Sequence, residues 1–208
     1  MQMLRWCIAG LIVLAKSAAA DEGFDHYIIA LSWSPSWCAM EERRAQDAQC
    51  SKEADYGWIL HGLWPQGKTD WPAYCKTAEK PPSRAMTKGM SDIMGSSGLA
   101  WHQWKKHGTC TALSAEDYYA LSRRAFNAIT IPSVFSKVNK DFKLNAEIVE
   151  EAFLKANPDL RDNMVRVTCK GAFLQEIRVC VSKELTPIVC SKANRRDCTR
   201  SVLLPSIP

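Results

Sequence analysis

Histidine is scarce in this chain, with four among 208 residues, so proton-transfer chemistry has few places to sit. No two cysteines are separated by two residues, which removes the paired knuckle of a structural zinc site. His102 and His107 lie five apart, a poor ligand spacing on one helix. There is no internal repeat, low-complexity tract or long linker. Beyond residue 20 no segment approaches the run of about 20 apolar residues that spans a bilayer. These absences argue against a zinc module, a repeat array and a membrane-embedded chain. One domain is the economical reading at this length.

What is present begins with an export signature. Arg5 supplies a positive start, Trp6 to Ala15 is a short apolar run, and Ala18-Ala19-Ala20 ends in small residues. Residues 1–20 are therefore expected to be a secretory signal cleaved before Asp21, with 21–208 as a single catalytic domain. A membrane anchor is the alternative, and the Ala-rich end speaks against it. Of the nine cysteines, Cys7 leaves with the signal, and eight remain. An even number in an exported chain predicts four disulfides, although eight cysteines allow 105 pairings. Without Arg5 and Lys16 the mature chain carries 25 basic and 22 acidic residues, a net of +3. That mild excess is compatible with a polyanionic partner without demanding one.

Hydrophobic periodicity places the elements. Asp25 to Trp33 alternates, with Tyr27, Ile29 and Leu31 on one side, and predicts a strand. Trp58-Ile59-Leu60 predicts a short strand, which Gly62 and Pro65 should turn into a loop. Lys68 to Pro82 is loop-like, and Met86 to Met94 predicts a short helix. Trp101 to Cys110 predicts a helix stopped at Gly108. Ser114, with Asp117 three residues on, caps another that runs toward Ala128. A further helix is expected from Ala146 to Ala156. Met164 to Cys169 and Phe173 to Ser182 alternate around Lys170-Gly171, a hairpin signal. Strands at both ends and helices between them predict an α+β fold: a central antiparallel β-sheet with helices packed against it, stapled by four disulfides.

Three of the four histidines fall in two dense segments, His61-Gly62-Leu63-Trp64-Pro65-Gln66 and Trp101-His102-Gln103-Trp104-Lys105-Lys106-His107-Gly108-Thr109-Cys110. On a helix, with His102 at zero, Lys106 falls at about 40°, Gln103 at about 100° and His107 at about 140°. Four polar groups share one face. Trp101 and Trp104 fall on the other and are expected to pack, with Lys105 solvated. His26 lies outside both segments and reads as a packing or strand-surface residue.

A histidine pair without a metal suits phosphodiester transesterification in RNA. One imidazole takes the proton of the 2′-hydroxyl nucleophile while the other protonates the departing 5′-oxygen. A lysine can stabilise charge on the phosphorane. No metal or other cofactor is needed, and DNA, lacking the 2′-hydroxyl, should not be cleaved.

Both segments resemble the two active-site motifs of the ribonuclease T2 family, secreted endoribonucleases with an α+β fold. The His61-to-Pro65 segment matches throughout, and the second keeps the skeleton His-x-Trp-x-Lys-His-Gly-Thr-Cys. Ala30-Leu31-Ser32-Trp33 also looks like the family's first strand. The resemblance implies His107 as general base, His61 as general acid, Lys106 as transition-state stabiliser and His102 as phosphate ligand. It implies that Trp64 stacks on the base 5′ of the cut, with Gln66 and Trp71 lining the same pocket; such stacking tolerates different bases. It further implies the disulfides Cys38–Cys50, Cys75–Cys110, Cys169–Cys198 and Cys180–Cys190.

One departure stands out. The family usually has glutamate where this chain has Gln103. We expect Gln103 to orient the substrate phosphate or His107, leaving an active enzyme with an altered pH profile. Single-stranded RNA is the expected partner, the protein a monomer, secreted or periplasmic. The chief rival is an exported RNA-binding or toxin-like protein weakened by Gln103. A zinc hydrolase and a structural disulfide module are further alternatives; the second leaves the polar helix face unexplained.

Overall fold

The structure is a computed structural model describing residues 23–40, 47–191 and 198–207. The expected signal and residues 192–197 lie outside the described residues. Strand β1, His26–Trp33, occupies an inner position because it is apolar on both faces. Tyr27, Ile29, Leu31 and Trp33 enter the main core, while Ile28 and Ala30 pack with Cys180 and Cys190 on the other side. The one-sided alternation expected for it is thereby corrected: both faces are covered.

β1 pairs antiparallel with β2, Trp58–Gln66, and with β5, Phe173–Val181. β5 also pairs with β4, Val165–Lys170, through a hairpin turned at Gly171, whose φ of +58° suits glycine. β6, Ser201–Leu204, joins β5 by a single parallel pair and carries β3, Phe142–Asn145, at the far edge. The sheet is thus antiparallel apart from that one pair.

The loop expected after Leu60 does not form, and β2 runs on to Gln66. Two facts reconcile this with Gly62 and Pro65. β2 is an edge strand, where a missing proline N–H costs no ladder bond. The register also slips, Leu31 pairing with Leu60 and Ala30 with Gly62, so His61 is the extra residue of a β-bulge.

Helices α1, Ser34–Ala39, and α2, Arg84–Lys88, are short, as is α3, Ser91–Met94. The single helix expected over residues 86–94 is therefore two, broken at Gly89-Met90, and Arg123 bridges the break by binding Asp92 and the Gly89 carbonyl. Helix α4, Ser97–Lys106, starts four residues before the expected Trp101, because Ser96 caps it by accepting from the Leu99 N–H. Helix α5, Ala115–Asn127, is capped by Ser114, and α6, Ala146–Ala156, ends before Pro158.

Trp104 is buried against Tyr118 of α5, whose hydroxyl donates to the Leu63 carbonyl of β2. That chain of contacts seats α4 over the bulged strand. Trp101 is less well covered than expected, 44% exposed where Trp104 on the same helix is buried.

The four disulfides join Cys38 to Cys50, Cys75 to Cys110, Cys169 to Cys198 and Cys180 to Cys190. Cys75–Cys110 fastens the loop after β2 to the turn that ends α4, beside a bond from the Tyr74 N–H to the Lys106 carbonyl. No helix among the described residues is long and apolar enough to cross a membrane.

Candidate active site

The bulge in β2 turns His61 into a cleft of about 430 Å³ that it shares with Trp64, Gln66 and Trp71, and with His102, Gln103, Lys106 and His107 of the α4 segment. All eight side chains singled out in the sequence are thus brought to one place. Trp71 stands 61% exposed at its mouth, and Gln66 is buried, its amide donating to the Pro65 carbonyl. His26 lies elsewhere, buried opposite Gln66 on β1.

His107 is the C-cap of α4, its N–H still bonded to the Gln103 carbonyl. The residue is 4% exposed, and its Nδ1 finds no hydrogen-bond partner among the described residues. Burial, and then the positive charges of Lys106, His61 and His102, push its pKa from 6.5 down to about 3. His102, on the exposed side of α4, is lowered as well, by burial of its ring and by Lys106. His107 is therefore a neutral imidazole across the mildly acid and neutral range, the form a general base must have.

Stability carries the same signature. The unfolded chain binds a proton on His107 below about pH 6.5, which the folded chain refuses until about pH 3. The stabilisation is complete above 6.5 and is lost as pH falls toward 3. The stability of His107→Asn should vary less with pH between 6.5 and 4.5, by about 1.4 kcal/mol per pH unit. Urea unfolding across that range measures the difference, and equal slopes would contradict the assignment.

His61 meets a residue that the sequence reading missed. Its Nδ1 lies 2.5 Å from Oε1 of Glu176, which is 1% exposed on β5. The other carboxylate oxygen accepts from Arg178 at 2.7 and 2.8 Å. Burial opposes the charge on Glu176, but the bond and charge of His61 and the charge of Arg178 outweigh it and hold the carboxyl at about 2. A buried anion is thus fixed behind His61. It sets the proton on Nδ1 and leaves Nε2 for the cleft.

Trp64 links the two histidines. Its ring centroid is 5.2 Å from His61, edge-on, and 5.4 Å from His107, stacked within 24°. Arg178 lies over the same indole at 5.0 Å. The indole N–H donates to the Gln103 amide oxygen at 2.9 Å, so the buried Gln103 contacts the Trp64 edge.

Gly62 is what allows this approach. A Cβ there would lie 2.0 Å from Gln103 Oε1 and 2.4 Å from Trp64 Nε1. We expect Gly62→Ala to cost about 1–3 kcal/mol and to lower activity together with stability. Denaturation and rate measurements on the variant check this, and a stable, fully active protein would refute it.

A second depression, about 410 Å³, adjoins the other side of His61 between Ser32, Gln49, Ser96 and Leu99. The chain therefore offers a neutral base, a carboxylate-backed histidine, a lysine and room on both sides. Among the described residues no cluster of three or more His, Cys, Asp or Glu side chains could hold a metal ion.

The sequence model of the Ribonuclease T2 family matches residues 24–198. The chain belongs to that family. A "Ribonuclease" of Aeromonas hydrophila is 41% identical over 110 residues, 53% of this chain and 47% of that protein. A "Probable ribonuclease" of Haemophilus influenzae is 28% identical over 178 residues, 80% of this chain and 61% of that protein. The chain thus spans roughly half to three-fifths of the length of these two relatives. An "RNase-related protein from Calystegia sepium" shares the fold, with a TM-score of 0.67, 20% identity, and coverage of 89% of this chain and 98% of that one.

Proposed function

We propose that this T2-family chain is a metal-independent endoribonuclease that cleaves single-stranded RNA through a 2′,3′-cyclic phosphate to 3′-phosphate ends. The observation that carries the reading is the asymmetry of the two histidines in one cleft: His107 kept neutral by burial, His61 backed by the ionised Glu176.

In the first step His107 takes the proton of the 2′-hydroxyl. The freed oxygen attacks phosphorus, and the departing 5′-oxygen receives a proton from His61 Nε2. Lys106 and His102 stabilise the phosphorane oxygens. In the second step water adds to the cyclic phosphate with the two histidines exchanging roles. Gln103 holds Trp64 and, through it, the ring of His107, which supports retained activity without the usual glutamate. The rival of a non-catalytic RNA binder rests on that same substitution.

The base 5′ of the cut stacks on Trp64 in exchange for Arg178. Stacking contributes about 1–3 kcal/mol per base, and Arg178, 30% exposed, keeps its pair with Glu176 when the base takes its place over the ring. Because every base has a π-face, low specificity follows. Gln66 and Trp71 line that pocket, and the leaving nucleoside enters the depression by Ser32 and Leu99. Residues 21–208 act as one monomeric domain, secreted or periplasmic after removal of residues 1–20.

Incubation with a defined RNA and the matched DNA, both in EDTA, tests the class. Cleavage of RNA alone is expected. Loss of activity in EDTA would favour a metal hydrolase, and binding of RNA without cleavage would favour the rival.

A further inference from the structure

Beside the catalytic cleft lies a third depression of about 470 Å³, and the two share Gln175 and Arg178 of β5 as a common wall. Its remaining sides are Thr168 on β4, Thr199 and Arg200, arranged around the Cys169–Cys198 disulfide. We propose that this depression binds a second backbone phosphate of the RNA, one nucleotide 5′ of the scissile linkage. The inference rests on the function proposed above and extends it to a new subsite.

The lining is built for an anion. It offers the guanidinium of Arg200, the outer face of the Arg178 guanidinium whose other side is paired with Glu176, two hydroxyls and an amide, and no carboxylate among the described residues lines it. Arginine presents a planar fork of donors that matches phosphate oxygens. Arg200 is well placed to hold such a group. The disulfide two residues earlier ties its backbone to β4, β6 begins at the next residue, and its side chain already donates to the Gly171 carbonyl.

Arg178 fixes the direction. Its guanidinium reaches from the Glu176 carboxylate to the ring of Trp64. The depression therefore opens on the Trp64 side of the scissile position, which is the side of the 5′ base. A strand whose base lies on Trp64 carries its preceding phosphate past Arg178 toward Arg200.

The probes are dinucleotides whose single 2′-hydroxyl at the linkage is replaced by hydrogen, so that binding is read without turnover. One bears a 5′-hydroxyl, one a 5′-phosphate and one a 3′-phosphate. The 5′-phosphate should tighten binding to the wild type by about tenfold, as one charge-assisted contact does. The 3′-phosphate should not reproduce the gain. Arg200→Ala should abolish the 5′ gain, Arg200→Lys should keep part of it, and Arg200→Glu should turn it into a loss. The salt dependence of the 5′-phosphorylated probe should lessen in Arg200→Ala by about 0.7 in log–log slope, one phosphate contact on a single strand.

No gain from the 5′-phosphate, or the same gain in Arg200→Ala and Arg200→Glu, overturns the subsite. The all-ribose dinucleotide reports separately on the chemistry. Its cleavage without a 5′-phosphate gain sinks the subsite alone, whereas a gain without cleavage leaves the subsite standing and sinks the catalytic reading.

Discussion

Replacing His61 or His107 by alanine should lower kcat on single-stranded RNA by about 10²–10⁴-fold, the contribution of one positioned proton transfer. The double variant should be little worse than either single one, because the two groups act as a unit and residual rate comes from binding and Lys106. KM should change far less than kcat, since phosphate and base are held by other residues of the cleft. The two variants should differ in stability. His107→Ala removes a buried ring stacked on Trp64, whereas His61→Ala removes a partly exposed one and leaves Glu176 with Arg178 as its remaining partner. Rates compared at equal folded fraction separate chemistry from folding. Either alanine variant turning over at the wild-type rate would be incompatible with the mechanism.

Glu176→Gln should reduce kcat by about 10²-fold, the low end of one proton transfer, with KM nearly unchanged. The amide keeps the shape of the carboxylate and removes its charge. Two consequences follow from geometry. The anion no longer fixes the ring of His61 by accepting from its Nδ1, so proton delivery to the departing 5′-oxygen should slow. The amide can also turn its NH₂ toward Nδ1, which then becomes the acceptor and changes which nitrogen carries the proton. Loss of the buried charge also leaves Arg178 without its ionic partner, which costs stability. Rates compared at equal folded fraction separate the two effects, because an enzyme that is merely destabilised regains its kcat under that correction. Glu176→Asp, which keeps the charge on a shorter arm, should recover part of the rate. An unchanged kcat in Glu176→Gln would remove Glu176 from the mechanism.

Glu176 also marks where the sequence stops being legible. It stands 115 residues from His61 in chain order, inside a strand whose polar residues read as a solvent face. That β5 lies between β1 and β4, buried on both sides, is a tertiary fact that alternation within the strand does not carry. The available signal is Glu176 and Arg178 flanking Ile177 in a strand otherwise rich in apolar residues. A carboxylate in such a strand needs a buried partner.

His61, His102, Gln103, Lys106 and His107 are readable because helical spacing places four of them on one face and the fifth sits in a compact motif. The course of β2 is misread for the opposite reason. Gly62 and Pro65 are turn residues in isolation, and only the edge position and the bulge make them compatible with a strand. Strands β3 and β6, four residues each, are too short for a period to emerge, and they exist because they pair with each other. Trp101 reads as a packing residue from its size and angle, yet it stays 44% exposed while Trp104 takes the buried place against Tyr118. What is legible, then, is local chemistry; what is not is decided by the neighbours each strand acquires.

The central claim is that the RNA's own 2′-hydroxyl is the nucleophile, deprotonated at His107 while His61 releases the 5′-oxygen. A time course of end groups tests it most directly, using an RNA and its twin in which a single nucleotide is deoxyribose. The account predicts that a 2′,3′-cyclic phosphate appears first and gives way to a 3′-phosphate, and that the linkage following the deoxyribose stays intact. Cleavage at that linkage, or 5′-phosphate ends from the outset, would contradict it.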